Sequence, residues 1–569
     1  MRRFRNTFLY LILPIFLFSA CTPEEDGDVS APTLISSIPA DKAVDVNVST
    51  PISLLFTEKI LLTTNARIKL NNQTVEATAD ARTLTISTTL APSTDYTLTI
   101  PDKALTDVAG NFVKTFSITF RTSNTVSAEG TILEAENATL SNDAAIASTI
   151  AGYSGTGYVN MNNGNIAFNV NATENGYYRV FARYSSGGDK TQNLHVDGQM
   201  MAAIHFTQSA QWKETEIATV RLNAGTHSIS IIKNWGYISL DYLKIAYVGN
   251  TTSPFNIAAN LVTPQPSAQA VNVYNFLKEN FGKNVISGVI ADSTRNTDEP
   301  KWVFEKTGKW PALVGYDFMD HTWLNQNWIK YDGPFVQGKR HWENNGLVTL
   351  TWHWRDPLTK SGAFYTADTN FDISKVNDVN SNEYKAIIVD IDTIATYLKE
   401  FKNAGIPVIW RPLHEAAGGW FWWGAKGPQP CKALWRLLFD RLVNHHGLNN
   451  LIWVWTTDAT TSAADWYPGD EYVDVLGMDI YPGENQHGSQ YISFNKVKEI
   501  FGGRKLITLS ECGSVPDPAM MLEYGDMWSW FMVWSGDYTR SDSHNGATWW
   551  QKFFSYDYVI TRDKMPDLK

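Results

Sequence analysis

The C-terminal half of this 569-residue chain alternates short apolar runs with longer amphipathic segments, and this alternation restricts the fold more than any other feature. Between the runs lie stretches with helical periodicity, such as 387–405 and 430–447. Eight buried strands with interleaved helices predict a (β/α)8 TIM barrel, in which functional side chains follow the C-terminal ends of the strands. The eight runs are 285–290, 312–318, 347–354, 406–415, 451–458, 473–481, 505–513 and 528–538.

Two β-rich blocks precede this region. The first, residues 32–124, contains short runs with period-two alternation and has no long helical stretch. The second, residues 128–249, has the same character. Both patterns predict β-sandwiches. A connector rich in Pro, Ser and Asn leads from the second block into the barrel. We therefore expect a multidomain chain, in which two β-sandwich domains precede a TIM-barrel domain at residues 260–569.

The composition narrows the classes of function. The formal net charge is −11 and no basic block follows the first five residues, so we expect no nucleic-acid partner. The three cysteines, Cys21, Cys431 and Cys512, are too few for a disulfide framework or a four-cysteine metal site. Of the 22 tryptophans, 20 lie between residues 302 and 550, which makes the barrel region chemically different from the rest.

The N-terminus has the layout of a secretory signal. Three arginines within the first five residues precede an apolar run at 8–18, and small residues lead to Cys21. Phe-Ser-Ala-Cys resembles a bacterial lipoprotein cleavage box, and the following TPEEDGD resembles the surface-export tag of Bacteroides-group lipoproteins. This resemblance implies a signal peptide at 1–20, lipidation of Cys21, an acidic tether at 21–31 and a place on the outer membrane. The alternative is an ordinary signal peptide with a chance cysteine.

Polar and aromatic side chains follow several of the predicted strands. Glu415 ends the fourth run and Glu511 lies in the seventh, so in a barrel the two face each other across the mouth. Glycoside hydrolysis needs such a pair in an aromatic-lined cleft, one carboxyl group protonated and the other ionised. Taken singly, each glutamate could instead form a structural ion pair. The other strand-end residues are His353, His414, Asp479, Tyr481 and Trp534.

The stretches WRPLHEAAGGWFWWG (410–424) and LSECGSVPD (509–517) resemble the two characteristic motifs of glycoside hydrolase family 26. The resemblance covers roughly residues 260–569. It implies retaining endo-hydrolysis of β-1,4-mannosidic linkages in mannan, glucomannan or galactomannan, without a cofactor for catalysis. Carried over to this sequence, Glu415 is the acid/base and Glu511 is the nucleophile.

The same resemblance implies roles for the neighbours of the two glutamates. His414 is expected to orient bound sugar, and His353 to contact sugar on the non-reducing side of the cut. Tyr481 is expected to hydrogen-bond Glu511. From its own position, one turn of backbone before Glu415, Arg411 is expected to support a carboxylate through two hydrogen bonds. Trp420 and Trp534 resemble platforms for sugar rings. We expect Trp422 and Trp423 to be packing residues instead.

The two β-rich blocks also resemble known modules. The first is similar to bacterial immunoglobulin-like domains and is expected to be a spacer. The second resembles carbohydrate-binding modules of families 6 and 35, which implies a structural Ca²⁺ at Glu134, Glu136 and Asp241. Alternatively, the two glutamates are the solvent face of an edge strand. Trp235 and Tyr237 are candidates for a sugar platform, although each could equally belong to the core.

Two other functions remain open at this stage. The barrel could hydrolyse another β-glycan, either mixed-linkage glucan or β-1,3-xylan, because such enzymes share both carboxylates. The chain could also be a non-catalytic protein that captures glycan at the cell surface. In either case the expected partner is a polysaccharide, and a surface glycan-uptake complex is a further candidate partner.

Overall fold

The computed structural model describes most of the chain beyond the N-terminal segment. The signal peptide, Cys21 and all of the tether except its last two residues lie outside the described residues. The chain divides into two compact units, of which the first ends at Thr122. The described residues are 30–46, 52–64, 66–88, 90–91, 94–122, 130–249, 255–291, 298–322, 333–360, 363–460 and 462–569.

The first unit is a β-sandwich. One sheet has the strand order β1-β3-β8-β7, the other has the order β2-β11-β9-β5-β6, and β4 pairs with β10. Alternate residues of β3 and of β11 are buried, as the period-two pattern predicts. The strands are β1 (Leu34–Ile38), β2 (Ala43–Val46), β3 (Ile52–Phe56), β4 (Leu61–Leu62), β5 (Lys69–Leu70), β6 (Gln73–Thr74), β7 (Glu76–Asp80), β8 (Thr83–Ser87), β9 (Asp95–Ile100), β10 (Leu105–Thr106) and β11 (Phe116–Thr122).

The second unit begins with another sandwich. Its sheets have the orders β14-β15-β22-β17-β20, with β12 also on β22, and β13-β16-β21-β18-β19. The long strands β17 and β22 pair over most of their length, so they form the centre of one sheet. The strands are β12 (Thr131–Glu134), β13 (Thr139–Ser141), β14 (Ala145–Ala147), β15 (Tyr158–Asn160), β16 (Asn165–Ala172), β17 (Gly176–Ser186), β18 (Lys190–Val196), β19 (Gln199–Phe206), β20 (Ser209–Leu222), β21 (Gly225–Trp235) and β22 (Ser239–Gly249).

The rest of the second unit alternates strands with helices. Each of the eight predicted runs contains a strand, and β23 spans the whole of its predicted run. The strands are β23 (Val285–Ile290), β24 (Leu313–Asp317), β25 (Leu347–Thr351), β26 (Val408–Arg411), β27 (Leu451–Thr457), β28 (Val475–Ile480), β29 (Leu506–Cys512), β30 (Trp530–Val533) and β31 (Val559–Ile560). The helices are α1 (Ala268–Asn280), α2 (Asp298–Thr307), α3 (Gly333–Glu343), α4 (Asn382–Asn403), α5 (Pro428–Phe439), α6 (Ala463–Trp466), α7 (Tyr491–Ile500), α8 (Pro518–Tyr524), α9 (Asp537–Arg540) and α10 (Ala547–Ser555).

Within the described ranges, the eight parallel strands β23 to β30 close into a barrel. Neighbours in sequence pair along the sheet, and β23 pairs with both β30 and β24, which leaves no free edge in the ring. Every residue of β27 and of β29 is buried, as expected for strands that have a packed interior on one side and helices on the other. The predicted fold class is confirmed, and the C-terminal ends of all eight strands open at one rim.

The second sandwich packs directly on the barrel. Tyr491 and Ile492, at the start of α7, are buried within the hydrophobic core of that sandwich. The Tyr491 hydroxyl donates to the carbonyl of Thr219, and the Arg221 guanidinium donates to the carbonyl of Glu523. Because these contacts join core to core, the sandwich has a defined position relative to the barrel. None of the helices in the described part of the chain is long and apolar enough to cross a membrane.

Candidate active site

Three carboxylates meet at the rim formed by the C-terminal ends of the barrel strands. Glu415 follows β26, Asp479 lies near the end of β28, and Glu511 lies near the end of β29. One oxygen of each lies within 4.8 Å of an oxygen of the other two. Glu415 and Glu511, 96 positions apart in sequence, are therefore brought together as expected. Asp479 was expected at a strand end but had no predicted role, because a single aspartate there carries no distinguishing pattern.

Arg411 neutralises part of this cluster. Its Nη1 donates to Asp479 Oδ2 at 2.8 Å, and its Nη2 donates to Glu511 Oε2 at 2.6 Å. The guanidinium thus bridges two carboxylates rather than making both hydrogen bonds to one. Burial lowers the pKa of Arg411, but the two carboxylates raise it above the ordinary value, so the side chain stays charged.

Two neutral donors complete the surroundings of the glutamates. The Tyr481 hydroxyl donates to Glu511 Oε1 at 3.1 Å, and Trp420 Nε1 donates to Glu415 Oε2 at 2.9 Å. Burial and the neighbouring carboxylates raise the pKa of Tyr481, so its hydroxyl keeps the proton that it donates. Glu511 therefore accepts hydrogen bonds from a cation and a phenol, whereas Glu415 accepts one from an indole.

The electrostatics of the site differ from those of an exposed pair of glutamates. Burial raises the pKa of Glu415, and the charge of Asp479 raises it further. Burial also raises the pKa of Glu511, where Arg411 acts in the opposite direction and the charges of Asp479 and Glu415 add to the rise. Three carboxyl groups share a single guanidinium, so the cluster retains a proton near neutral pH.

The backbone around Glu415 adopts a conformation that side chains other than glycine rarely take. Leu413 and Glu415 have φ values of 49° and 54°, in the left-handed region. Two glycines make room for the turn that follows. A Cβ on Gly418 would lie 2.0 Å from the Trp420 ring, and one on Gly424 would lie 2.0 Å from the Ala416 carbonyl oxygen. The glycines of the motif therefore allow Trp420 to reach Glu415.

The three tryptophans of this motif have different surroundings. Trp420 is 49% exposed and lies beside the acid cluster, where a sugar ring could stack on it. Trp422 and Trp423 are fully buried, and their indoles donate to the carbonyls of Trp354 at 2.6 Å and His414 at 2.8 Å. The latter two are packing residues, as expected. Trp534, directly after β30, is half-buried.

The two histidines lie side by side on one wall of the cleft. His353 is 8% exposed, and its ring centroid lies 5.8 Å from that of Trp534. His414 is fully buried, and its Nε2 lies 3.1 Å from His353 Nε2. His414 is therefore packed against His353 and shielded from solvent. Asp317, at the end of β24, binds the far side of the His353 ring, and nothing in the sequence pattern singled it out.

Within the part of the chain that the structure describes, two groups of side chains have the spacing of metal ligands. One is the acid cluster itself, but Arg411 already binds two of its three carboxylates. The other consists of Asp392, His445 and His446 on the outer helices, where Arg441 binds both carboxylate oxygens of Asp392. In each group an arginine therefore already compensates part of the negative charge.

The residues predicted to hold Ca²⁺ in the second sandwich gather around the loop at Ser154. The Ser154 hydroxyl donates to Glu134 Oε2 at 2.7 Å, and its backbone N–H donates to Asp241 Oδ1 at 2.9 Å. Glu136 Oε2 is buried and has no hydrogen-bond partner among the described residues. Asp241 is fully buried and forms an ion pair with Arg183. The two glutamates therefore fit a cation, whereas the charge of Asp241 is already compensated.

The aromatic candidates of the same sandwich are at its surface. Trp235 and Tyr237 are 61% and 57% exposed, so neither belongs to the core. Lys190 Nζ lies 4.8 Å from the centroid of the Trp235 ring. Asn234, whose amide donates to Asn193 at 2.9 Å, adds polar groups beside the ring. Exposed aromatic rings with neighbouring amides and a cation suit the apolar faces and hydroxyl groups of sugars.

An acid pair across the rim of an eight-stranded parallel barrel is the fold and site of a glycoside hydrolase. Comparisons with known proteins agree. The family model described as "Glycosyl hydrolase family 26" matches residues 262–564. The models described as "Carbohydrate binding module (family 35)" and "Bacterial Ig-like domain" match residues 131–248 and 28–122. The chain belongs to glycosyl hydrolase family 26.

The chain is also similar to individual mannan hydrolases, two of which match about three quarters of its length. The chain is 34% identical over 453 residues to the mannan endo-1,4-beta-mannosidase of Thermothelomyces thermophilus, covering 77% of this chain and 91% of that protein. A solved GH26-CBM35 beta-(1,4)-mannanase of Podospora anserina is 33% identical, with a TM-score of 0.54 over 77% of this chain and 99% of that one. A beta-mannanase from a symbiotic protist of the termite Reticulitermes speratus, complexed with gluco-manno-oligosaccharide, is 42% identical, with a TM-score of 0.52 over 55% of this chain and 99% of that one.

Proposed function

We propose that this chain is a retaining endo-hydrolase of β-1,4-mannosidic linkages in mannan, glucomannan or galactomannan. The observation that carries the proposal is that one carboxylate oxygen of Glu415 lies within 4.8 Å of one carboxylate oxygen of Glu511. Retaining glycosidases hold their two carboxyl groups about 5–5.5 Å apart, whereas inverting enzymes separate them by about 6.5–9.5 Å to admit a water molecule. The substrate class rests on the relatives, which are named as mannan hydrolases.

The hydrogen bonds of the two glutamates support different roles. Glu511 accepts from Arg411 and Tyr481, and these bonds favour an ionised carboxylate that can attack the anomeric carbon. Glu415 accepts from Trp420 and faces Asp479, and burial together with the charge of Asp479 favours its protonated form, which can pass a proton to the leaving oxygen. In the second step Glu415 takes a proton from water, which attacks the same carbon and releases Glu511.

A panel of polysaccharides tests the substrate class. We expect release of reducing sugar from mannan and glucomannan, with much slower release from lichenan and from β-1,3-xylan. Faster hydrolysis of lichenan or of β-1,3-xylan than of mannan would show that the enzyme has another substrate specificity of the same family. If the chain binds mannan but hydrolyses none of the four, it is a glycan-capture protein and the proposal is wrong.

The pH profile should depend on Asp479. Its charge raises the pKa of Glu415, so Glu415 keeps its proton, and with it the ability to act as an acid, up to higher pH. Replacement by asparagine removes that charge, and the alkaline limb of kcat/KM should move to lower pH by about one unit. The measurement is kcat/KM on mannan as a function of pH.

Asp474→Asn provides the matched control for this profile. Asp474 is also buried, but it precedes the opposite end of β28, where it accepts from the backbone N–H groups of Val262 and Trp453. We expect this substitution to lower stability and to leave the alkaline limb in place. If the alkaline limb of kcat/KM in Asp479→Asn stayed at the same pH as in the parent or moved to higher pH, the electrostatic role of Asp479 would be contradicted.

We also propose that Glu134 and Glu136 hold a structural Ca²⁺ in the second sandwich. Burial, Glu136 and Asp241 raise the pKa of Glu134, and the unpartnered oxygen of Glu136 offers a hard ligand. Added Ca²⁺ should raise the Tm of the full chain, and EGTA should reverse the rise. Glu136→Gln should abolish the response, whereas Glu214→Gln on β20 should keep it. A Tm that does not respond to Ca²⁺ would refute the site.

The second sandwich is further proposed to bind glycan through Trp235 and Tyr237. Their exposure leaves aromatic surface available to a sugar ring. The double alanine variant should be retained less on insoluble mannan while hydrolysing soluble oligosaccharides at the parent rate. Ile146→Ala, which removes another exposed apolar side chain from the same sandwich, should retain normal binding. Equal retention of all three proteins would argue against this surface.

Anchorage to the outer membrane is proposed from the N-terminal sequence. The basic, apolar and small-residue order up to Cys21 resembles a lipoprotein signal, and the acidic residues after it resemble a surface-export tag. In cells, radiolabelled fatty acid should enter the parent protein and not Cys21→Ala. Co-purification of other proteins from the labelled membrane would test membership of a glycan-uptake complex. Equal labelling of both proteins would rule out lipidation at this cysteine.

A further inference from the structure

We propose that Tyr538, on the segment that follows β30, is the positioning residue that holds the Tyr481 hydroxyl on Glu511. Tyr538 acts through the ring of Tyr481, and Gly513 leaves the space in which the two rings meet. The position of the Tyr481 ring is a matter of geometry and holds for any substrate. Its consequence for the reaction rests on the proposed role of Glu511 as the nucleophile.

The Tyr481 side chain needs support from another part of the chain. It follows β28 directly, and 40% of its surface is exposed. Its hydroxyl donates to Glu511 Oε1 at 3.1 Å, which is at the long end of the range for O–H···O hydrogen bonds. Little further displacement is needed to lose such a bond. The strength of this hydrogen bond therefore depends on what holds the Tyr481 ring in place.

Tyr538 supplies that support through its ring. The centroids of the Tyr481 and Tyr538 rings lie 5.2 Å apart at an interplanar angle of 63°, which is the edge-to-face geometry that aromatic pairs prefer. Within the described ranges, this is the one ring contact that Tyr481 makes. Loss of the Tyr538 ring would therefore leave one side of Tyr481 without packing, and its hydroxyl would no longer be directed at Glu511.

Gly513 allows the two rings to meet. It lies two positions after Glu511, and its backbone N–H donates to the carbonyl of Ile480, the residue before Tyr481. A Cβ at Gly513 would lie 3.2 Å from two carbons of the Tyr538 ring and 3.3 Å from Tyr481 Cδ1. These distances are shorter than an ordinary van der Waals contact, so an added methyl group would press on both rings. The two rings therefore pack against the backbone of Gly513 as well as against each other.

A fully buried amide fixes Tyr538 relative to this glycine. Asn545 Nδ2 donates to the carbonyls of Gly513 at 2.6 Å and Tyr538 at 2.9 Å. Its Oδ1 accepts from the backbone N–H of Val515 at 2.9 Å. Because Asn545 is fully buried, its amide cannot exchange these hydrogen bonds for bonds to water. The backbone of Tyr538 is thereby tied to the segment that directly follows β29, the strand that carries Glu511.

The helix α9, which carries Tyr538, is also held by two other helices. Glu299, buried in the first turn of α2, accepts from the backbone N–H of Gly536 at 3.3 Å and from Arg540 Nη2 at 2.9 Å. From α10, the indole N–H of Trp550 donates to a backbone carbonyl of α9 at 2.9 Å. Contacts from several elements thus give α9 a fixed place, which a residue that positions an active-site side chain requires.

A double-mutant cycle with Tyr481→Phe tests whether Tyr538 acts through the Tyr481 hydroxyl. In the parent, Tyr538→Ala should lower kcat/KM on mannan by about tenfold, the scale of one hydrogen bond to a charged group. In Tyr481→Phe, which lacks the hydroxyl, the same substitution should change kcat/KM by less than about twofold. Tyr538→Phe keeps the ring and should stay within about twofold of the parent. Equal losses in both backgrounds would overturn the inference, because Tyr538 would then act independently of that hydroxyl.

Gly513→Ala provides a second route to the same displacement. Its methyl group presses on both rings without removing either, so it should lower kcat/KM in the parent and have little further effect in Tyr481→Phe. Crystal structures of the parent and of Tyr538→Ala need no hydrolysis. In the variant, the Tyr481 hydroxyl should lie beyond hydrogen-bond distance of Glu511. An unmoved hydroxyl would overturn the inference even if mannan is hydrolysed, whereas a displaced hydroxyl in a chain without hydrolytic activity would count against the proposed function alone.

A general loss of stability is separated by a matched control. Tyr467 is also a half-buried tyrosine of the barrel domain, and its ring packs against that of Phe501 at 4.9 Å and 59°. It precedes β28, so it lies toward the opposite end of that strand from Tyr481. Tyr467→Ala should lower the Tm and leave kcat/KM within about twofold of the parent value. If it lowered kcat/KM as Tyr538→Ala does, the effect would be one of general destabilisation and the inference would be wrong.

Discussion

Glu511→Ala is expected to reduce kcat/KM on mannan by on the order of 10⁴- to 10⁶-fold, the range found when a catalytic nucleophile is removed. In the proposed mechanism Glu511 supplies the electron pair for the first bond to the anomeric carbon, and the hydrogen bonds from Arg411 and Tyr481 favour its ionised form. Without it, no glycosyl-enzyme can form, even from an aryl glycoside with an easily expelled leaving group. The measurement is initial rate on mannan and on a dinitrophenyl β-manno-oligosaccharide.

Added azide tests whether the loss of rate in Glu511→Ala reflects the loss of a nucleophile, because the configuration of the glycosyl azide shows which group attacked the anomeric carbon. In Glu511→Ala the anion can occupy the space of the lost carboxylate and attack the anomeric carbon directly, which yields a glycosyl azide of inverted configuration. Cys512→Ala, one residue further along β29 and buried, should keep the parent rate within a few-fold. Substantial hydrolysis by Glu511→Ala, or an azide of retained configuration, would remove Glu511 from the role of nucleophile.

Glu415→Ala is expected to show a different pattern from Glu511→Ala. Hydrolysis of mannan should fall by about 10²- to 10⁴-fold, because the leaving sugar oxygen no longer receives a proton. The dinitrophenyl substrate needs no such proton, so it should still transfer its glycosyl group to Glu511. The intermediate should then accumulate, because no base activates water. Rapid-mixing measurements should show a burst of dinitrophenolate followed by a slow steady state.

Azide again distinguishes the two residues. In Glu415→Ala it should attack the accumulated glycosyl-enzyme, accelerate the steady state and give a glycosyl azide of retained configuration, since two inversions restore the original geometry. Absence of a burst together with an inverted azide would exchange the roles of the two glutamates. Parent-like activity on mannan would show that Glu415 has no catalytic part.

Much of the fold could be predicted from the sequence because the signal is local. Each barrel strand is a run of buried residues that shows directly as an apolar stretch, and each of the eight predicted runs contains one strand. The positions of Glu415 and Glu511 could be predicted because parallel strands all end at the same rim. The burial of Trp422 and Trp423 was also expected, since neighbouring bulky side chains cannot all point into the cleft.

The rest of the site depends on distances between strands that are not adjacent in sequence. Arg411 was expected to bind one carboxylate through two hydrogen bonds. It instead bridges Asp479 and Glu511, because the ends of β28 and β29 bring both carboxylates to the guanidinium. His414 follows the same strand end as Glu415, yet it is buried against His353. Strand-end position predicts that a side chain lies at the rim but leaves its direction open.

The sequence by itself determined the order of domains, the closed ring of strands and the two acidic residues that this ring brings face to face. These features depend on the periodicity of apolar residues and on the order of the strands, and both can be read directly from the amino-acid sequence. Only the tertiary structure decided which carboxylates share Arg411, and that His353 lies between Asp317 and His414. Those outcomes depend on side-chain directions and on separations of about 3 Å, which arise only when distant segments pack together.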